Sequence, residues 1–355
     1  MKIAIFFGGC SSEYSVSLES AYAVIRNLNS EKYEVVPVGI SDRGEWFYFT
    51  GNIEKIRQDC WLNETDCIPA ALSPNRSKHK LLLFTGDKVQ ALPIDAAFPV
   101  LHGKYGEDGT LQGLIELAGI PLVGCGVLAS ALCMDKDRAH KLASLAGISV
   151  PQALVLENGY SHREALDFAR RVHYPVFVKP VKAGSSYGVT QVCEEGLLLS
   201  AIALAFRYDN QVIIEEAIPG FEVGCAVLGN RKLTLGEVDE IALSGGFFDY
   251  TEKYTLKSSA IYVPARINAE ASCRIKETAK TIYKALGCQG FARVDMFFTP
   301  AGKIVFNEVN TIPGFTEHSR YPSMMKAAGL SFPEILDRLI ELAMEGADGG
   351  KDKVE

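Results

Sequence analysis

Residues 2–7 form a short apolar run that stops at Gly8-Gly9, and from Val16 to Leu28 apolar side chains (Val16, Leu18, Ala21, Val24, Ile25, Leu28) recur at helical spacing. A run of this length without polar alternation is a strand covered on both faces, as in a parallel sheet flanked by helices. The pattern continues downstream. Residues 34–40 read as a second strand and 96–101 as another, and Asp108 then caps a helix carrying Leu111, Leu114, Ile115 and Leu117. The stretch 41–90 reads as polar and irregular, with Asn and Asp turn residues. Strand–helix alternation implies a parallel sheet, whose ligands sit outside the carboxyl ends of the strands. Residues 8–13 and 102–109 occupy such ends.

From about residue 131 the order of elements changes. A helix is expected over 134–146, opened by Asp135, and Pro151 marks its exit. Strands are expected over 176–179, 189–193, 212–216 and 223–228, with a helix over 197–206. Residues 245–257 read as a long aromatic and charged loop, 269–286 as an amphipathic helix, 291–298 and 303–309 as a hairpin, and 332–344 as a closing helix. The chain's 355 residues suggest two or three domains, at about 150 residues each. Lys+Arg 36 against Asp+Glu 43, a net charge of −7, lacks the electrostatic footprint of a duplex-binding protein, so no nucleic-acid partner is expected. No apolar run approaches the ~18–20 residues of a membrane span, so no membrane partner is expected either. Nine scattered cysteines without a Cys-x-x-Cys argue against a zinc site or disulfide framework and for a cytoplasmic location.

Two constellations carry chemistry. Lys179-Pro-Val-Lys-Ala-Gly-Ser-Ser-Tyr-Gly188 lies between two strands. Its glycines let backbone amides converge on an anion, Ser185 and Ser186 add donors, and Lys179 can meet phosphate charge; a flexible turn is the plainer reading. The second is Arg293-Val-Asp-Met with Phe306-Asn-Glu-Val-Asn310 across the hairpin. Glu308 and Asn310, two apart on a strand, share a face, and Asp295 can lie opposite them. Two carboxylates and an amide oxygen are hard donors suited to Mg²⁺, and Arg293 can neutralise charge beside the metal. A salt-bridged solvent face fits poorly, because the hairpin's other residues are too apolar. A third stretch, Ile213-Ile-Glu-Glu-Ala-Ile218 with Glu222, could read an adenine edge and a ribose; an ordinary acidic strand edge explains it at least as well.

Taken as a set, these stretches with Asn310-Thr-Ile-Pro-Gly314, Gly8-Gly-Cys-Ser-Ser-Glu13, His102-Gly-Lys-Tyr-Gly-Glu-Asp-Gly109 and Met134-Asp-Lys136 resemble the ATP-grasp D-alanine–D-alanine ligases and their D-alanine–D-serine relatives, over nearly the whole chain. The resemblance implies an α/β chain with an ATP-grasp fold preceded by an N-terminal parallel-sheet, Rossmann-like domain. The expected divisions are 1–130 (first-substrate side), 131–220 (central ATP-grasp subdomain), 221–346 (C-terminal subdomain with metal site and lid loop) and a disordered tail, 347–355. It further implies ATP and two Mg²⁺ ions, with Mn²⁺ able to substitute, and a homodimer. Lys136, Lys179 and Lys253 would hold phosphates under the loop of Ser185 and Ser186. Glu215, Glu216, Ala217 and Ile218 would contact adenine, Glu222 the ribose, and Phe306 and Asn307 would line the nucleotide site. Asp295, Glu308 and Asn310 would hold the metal ions, and Arg293 with the Gly314 N–H would steady the oxyanion.

Glu13 would anchor the ammonium of the first D-alanine, with Ser185 and Tyr254 linking it to the mobile loop and His102 close by. Ser319 would lie near the second substrate's carboxylate. The Lys253-Tyr254 pair, missing from lactate-using relatives, implies an amine nucleophile. Arg320 stands where the D-Ala–D-Ala class carries Leu, and Phe248 resembles the D-serine-using members; both favour D-serine as second substrate, hence D-Ala-D-Ser precursors and vancomycin resistance. The opposing expectation is that Arg320 pairs with a carboxylate such as Glu317 and leaves alanine preference, and ordinary D-Ala-D-Ala synthesis, intact. Glu216 departs from the family's usual Lys. Two further readings compete: a non-catalytic ATP-binding regulatory module, and a dinucleotide oxidoreductase, which Gly8-Gly9 without Gly-x-Gly-x-x-Gly does not support.

Overall fold

The computed structural model describes residues 1–243 and 259–348. Its first unit is a seven-stranded sheet in the order β6-β5-β4-β3-β2-β1-β7. These strands are β1 (Lys2–Gly8), β2 (Glu34–Ile40), β3 (Trp46–Phe49), β4 (Cys67–Leu72), β5 (Lys80–Thr85), β6 (Lys88–Pro93) and β7 (Ala96–Pro99). β1 runs parallel to both β2 and β7, and Ile3 through Phe7 are buried, as their unbroken apolar run requires. The rest of the sheet corrects the expectation for 41–90: β3 to β6 form an antiparallel meander. β6 is short and largely exposed, which hid it. The tight Gly86-Asp87 link between Thr85 and Lys88 was its legible signal.

The remaining strands make two antiparallel sheets. One, ordered β10-β9-β11-β8, joins β8 (Ala153–Glu157), β9 (Val176–Pro180), β10 (Thr190–Val192) and β11 (Gln211–Glu216). The other, ordered β15-β14-β12-β16-β17 with β13 on β12, joins β12 (Phe221–Leu228), β13 (Thr234–Leu235), β14 (Asp239–Leu243), β15 (Ser259–Tyr262), β16 (Phe291–Phe298) and β17 (Ile304–Asn310). Asp135 does begin a helix: its carboxylate accepts from Arg138 N at 3.0 Å, separating Val127–Met134 from Lys136–Leu145.

The N-terminal and C-terminal sheets share one core. Phe98 on β7 meets Phe291 on β16 edge-on at 6.3 Å, and Phe291 meets Phe315 at 5.4 Å. Phe315 stacks on Tyr321 at 5.7 Å, and the helix Phe332–Asp348 closes over this cluster. Aromatic pairs of this kind add about 0.5–1.5 kcal/mol each beyond area burial. They hold the end of β1 in fixed register with the β16–β17 hairpin.

Candidate active site

Glu13 ends the turn after β1 and begins the helix Tyr14–Asn27. Its carboxylate is buried and accepts a hydrogen bond from the Ser185 hydroxyl, which joins the first sheet to the loop after β9. Two glycines leave room for it. A Cβ on Gly103 would lie 2.5 Å from Glu13 Oε2, and one on Gly184 2.7 Å. Ser185 and Ser186 have φ of 49° and 59°, a conformation L-residues seldom adopt, so the loop is bent toward Glu13 at some strain.

His102 takes a supporting place. Its Nδ1 lies 2.9 Å from the Ile312 carbonyl and its Nε2 3.1 Å from the Ser20 hydroxyl. Since the Ser20 oxygen also accepts from Phe315 N, its proton points to Nε2, and Nδ1 carries the ring proton. Burial lowers the His102 pKa, and with both ring nitrogens engaged the imidazole braces the ground beside Glu13. Glu107, which the sequence did not single out, clamps the same peptide: its two oxygens accept from Ile312 N and Gly103 N, each at 2.9 Å. Burial, and then the charge of Glu13, push its pKa up to about 8. The turn carrying Asn310 and Gly314 is therefore gripped at Ile312 from both sides. Gly314 lies against Ser319, whose hydroxyl accepts from Thr316 N at 3.0 Å.

The β16–β17 register brings the expected oxygen donors together. Asp295 faces Glu308 and Arg293 faces Asn310, with a bulge just beyond Asp295. Asp295 is 1% exposed and accepts from Arg293 Nε at 2.9 Å and from Asn310 Nδ2 at 3.0 Å. Among the described residues no three His, Cys, Asp or Glu side chains form a metal cluster. The third donor in this row is an amide, and two carboxylates with an amide oxygen match the hard-ligand preference of Mg²⁺. The residues fit the ion.

Above the hairpin, Lys136 Nζ donates to the Ala183 carbonyl at 2.7 Å and stands 3.8 Å from Glu308. Lys179 Nζ donates to Glu215 Oε2 at 2.6 Å. Burial works against the Glu215 charge, yet Lys179 and then His140 hold its pKa below the usual carboxylate range. Ser186 lies in the same bent loop, and Ala217 and Ile218 in the link from β11 to β12. Two of the expected nucleotide residues have partners within the fold. The Glu216 side chain accepts from Gln152 N at 2.8 Å. Phe306 is fully buried, with its ring 5.3 Å from that of His140; it supports the site from below while Asn307 offers its carbonyl to His140.

Arg320 starts the helix Arg320–Ala327 and is buried. Its Nε and Nη2 grip Asp239 at 2.7 and 2.9 Å, Nη1 donates to Glu222 at 3.0 Å, and Nη2 stands 3.1 Å from Asp295. Burial opposes its charge, but Asp239, Asp295 and Glu222 raise its pKa well above the ordinary value. A Cβ on Gly224 would lie 2.5 Å from this guanidinium, so only glycine leaves space for the cluster. The expected partner Glu317 is not used, and the expected ribose ligand Glu222 is tied to Arg320. Phe248, Lys253 and Tyr254, with the expected lid, lie outside the described residues, as does the tail beyond residue 348.

Two antiparallel sheets enclosing paired lysines and a row of oxygen donors, on a parallel-containing first domain, define an ATP-grasp ligase architecture. Family comparison agrees: residues 2–125 match the D-ala D-ala ligase N-terminus and 142–341 the D-ala D-ala ligase C-terminus, and the chain belongs to that family of ATP-dependent ligases. It is 48% identical over 350 residues to the vancomycin B-type resistance protein VanB of Enterococcus faecalis, covering 97% of this chain and 99% of that one. It is 45% identical over 351 residues to a D-alanine–D-alanine ligase of Caldicellulosiruptor bescii, covering 97% and 95%. The solved VanG D-Ala:D-Ser ligase from Enterococcus faecalis superposes with TM-score 0.89 at 59% identity, covering 96% and 99%. No helix among the described residues is long and apolar enough to cross a membrane.

Proposed function

We propose that this protein joins D-alanine to D-serine at the expense of ATP, through D-alanyl phosphate, and supplies peptidoglycan precursors that weaken vancomycin binding. The observation carrying this reading is the Glu13–Ser185 contact set against the Arg293–Asp295–Asn310 row, which leaves an ammonium anchor on one side and phosphate-suited groups on the other. Glu13 holds the first D-alanine's ammonium, so that its carboxylate faces the γ-phosphoryl group. Lys136 and Lys179 take the phosphates, and by family resemblance Lys253 joins them while Phe248 and Tyr254 belong to the covering lid. Asp295, Glu308 and Asn310 would hold Mg²⁺, which when bound neutralises phosphate charge. Arg293 and the Gly314 N–H stabilise the oxyanion as the second amine attacks the acyl phosphate, and Ser319 receives the second substrate's carboxylate.

D-serine as second substrate rests on Arg320. Its fork orders Asp239 and Glu222 at the start of the helix that Ser319 precedes, and ordered carboxylates with a guanidinium favour a hydroxyl over a methyl group. Likeness to the VanG D-Ala:D-Ser ligase supports the same choice. The ion pairs also give the second reading its support: an Arg320 fully engaged by carboxylates leaves fewer donors for serine, as in an ordinary D-alanine–D-alanine ligase. We place the protein in the cytoplasm as a homodimer, with domain divisions near residues 130 and 220. Mass analysis of the product from equal D-Ala and D-Ser with ATP tests the reading: D-Ala-D-Ser should dominate, and dominant D-Ala-D-Ala would refute it.

A further inference from the structure

The loop between β9 and β10 rests on the turn 206–210, which connects the helix Leu198–Ala205 to β11. On the outgoing limb, the Lys182 N–H donates to Asp209 Oδ2 at 2.7 Å and the Val181 N–H to the Gln211 carbonyl at 3.0 Å. Asp209 Oδ1 accepts from Asn210 N at 2.7 Å, so one carboxylate fixes its own turn and the loop together. That side chain is 9% exposed. On the returning limb, the Tyr187 ring lies 6.3 Å from that of Tyr208, and Gly188 fills the gap between Tyr208 and Pro180. A Cβ on Gly188 would lie 2.6 Å from the Tyr208 ring and 2.9 Å from Pro180, and its φ of 69° also favours glycine. With Lys182 and Tyr187 fixed, residues 183–186 alone carry the chain over to Glu13, where the Ser185 hydroxyl donates. So short an arch accounts for the left-handed backbone of Ser185 and Ser186, since such strain persists only where the surroundings over-determine it.

We propose that Asp209 and Tyr208 are positioning residues for phosphoryl transfer: from beneath the two limbs they hold Ser185 on Glu13 and Ser186 toward the phosphates. This rests on the ATP reading above. Released at either limb, the two serines relax to ordinary φ and the arch leaves Glu13. The loop must then be ordered anew each time ATP and the first amino acid bind, and that entropy is taken from their affinity. The second amino acid, received at Ser319, does not meet the arch.

The test is steady-state kinetics of dipeptide formation by the full chain, for the parent, Asp209→Ala and Asp209→Asn. Ala removes both acceptors and should raise KM for ATP and for the first D-alanine about tenfold, with KM for the second amino acid unchanged. Asn keeps one acceptor and should recover part of the loss. Unchanged KM for ATP and the first D-alanine in the Ala variant overturns the proposal. So does an equal rise in all three constants, or a fall in kcat alone, since either marks Asp209 as scaffold only. Tyr208 is 51% exposed, so its replacement leaves no buried cavity, and it serves if Asp209→Ala fails to fold. Tyr208→Ala should raise the same two constants and Tyr208→Phe, which keeps the ring, should restore them; parent-like constants in Tyr208→Ala overturn the proposal. A parent that forms no dipeptide counts instead against the ligase reading. Calorimetry with ADP then decides for the loop: Asp209→Ala, or Tyr208→Ala in its place, must weaken binding about tenfold, and unchanged affinity overturns the proposal.

Discussion

Replacing Arg320 by Leu removes a buried guanidinium from between Asp239, Glu222 and Asp295, two of which are at most 1% exposed. Leucine fills part of the volume but supplies no donor, so the fully buried Asp239, held at 2.7 and 2.9 Å, loses its guanidinium. Removing one member of such a pair costs about 3–5 kcal/mol, a large share of the roughly 5–15 kcal/mol that holds a typical protein folded. Arg320→Lys keeps the charge but not the fork, and should fall between parent and Leu. Urea unfolding at neutral pH reads the loss as a lower midpoint at constant slope. In the same samples, product analysis with mixed D-Ala and D-Ser should shift toward D-Ala-D-Ala by about 10- to 200-fold, the worth of about 1–3 kcal/mol in a specificity pocket. A Leu variant within about 1 kcal/mol of the parent, with an unchanged product ratio, would show that the cluster neither stabilises the fold nor selects the substrate.

Glu107→Gln tests the buried acid. Because burial raises its pKa from the ordinary 4.5 to about 8, the folded chain keeps a proton that the unfolded chain releases, and stability should decline from about pH 4.5 up to about pH 8. Gln has no such proton, so its melting temperature should vary less over that window; parallel curves for parent and variant would contradict the assignment. Arg293→Ala should lower ADP release by about 10²–10³-fold while circular dichroism stays native, and unchanged turnover would remove it from the reaction. Gly103→Ala, at φ 71° with its Cβ 2.5 Å from Glu13 Oε2, should raise KM for the first amino acid far more than KM for ATP. Chelation with EDTA should stop turnover and added Mg²⁺ restore it; full activity in EDTA would contradict the metal assignment of Asp295, Glu308 and Asn310.

Much of this architecture was legible because local pattern and tertiary role coincide. The apolar run before Gly8 had to be buried on both faces, and the spacing of Glu308 and Asn310 fixed their common face. Asp295 opposite Glu308 followed from the hairpin. What escaped depends on partners distant in sequence. Asp239 is an ordinary acid at the start of a strand until Arg320 arrives from 81 residues away. Glu107 shows its character only when Ile312 N, 205 residues on, reaches its carboxylate. His102 reads as a substrate neighbour in the sequence because its role in securing Ile312 and Ser20 is equally non-local.

The acyl-phosphate route is tested most directly by following oxygen. D-alanine labelled with ¹⁸O in its carboxyl group is incubated with unlabelled ATP, D-serine, Mg²⁺ and the purified protein, and the released phosphate is examined by mass spectrometry. Attack of the carboxylate on the γ-phosphoryl group must carry one labelled oxygen into each phosphate as the dipeptide forms. Dipeptide accompanied by unlabelled phosphate would contradict that route, and with it the roles of Glu13, Arg293 and Asp295.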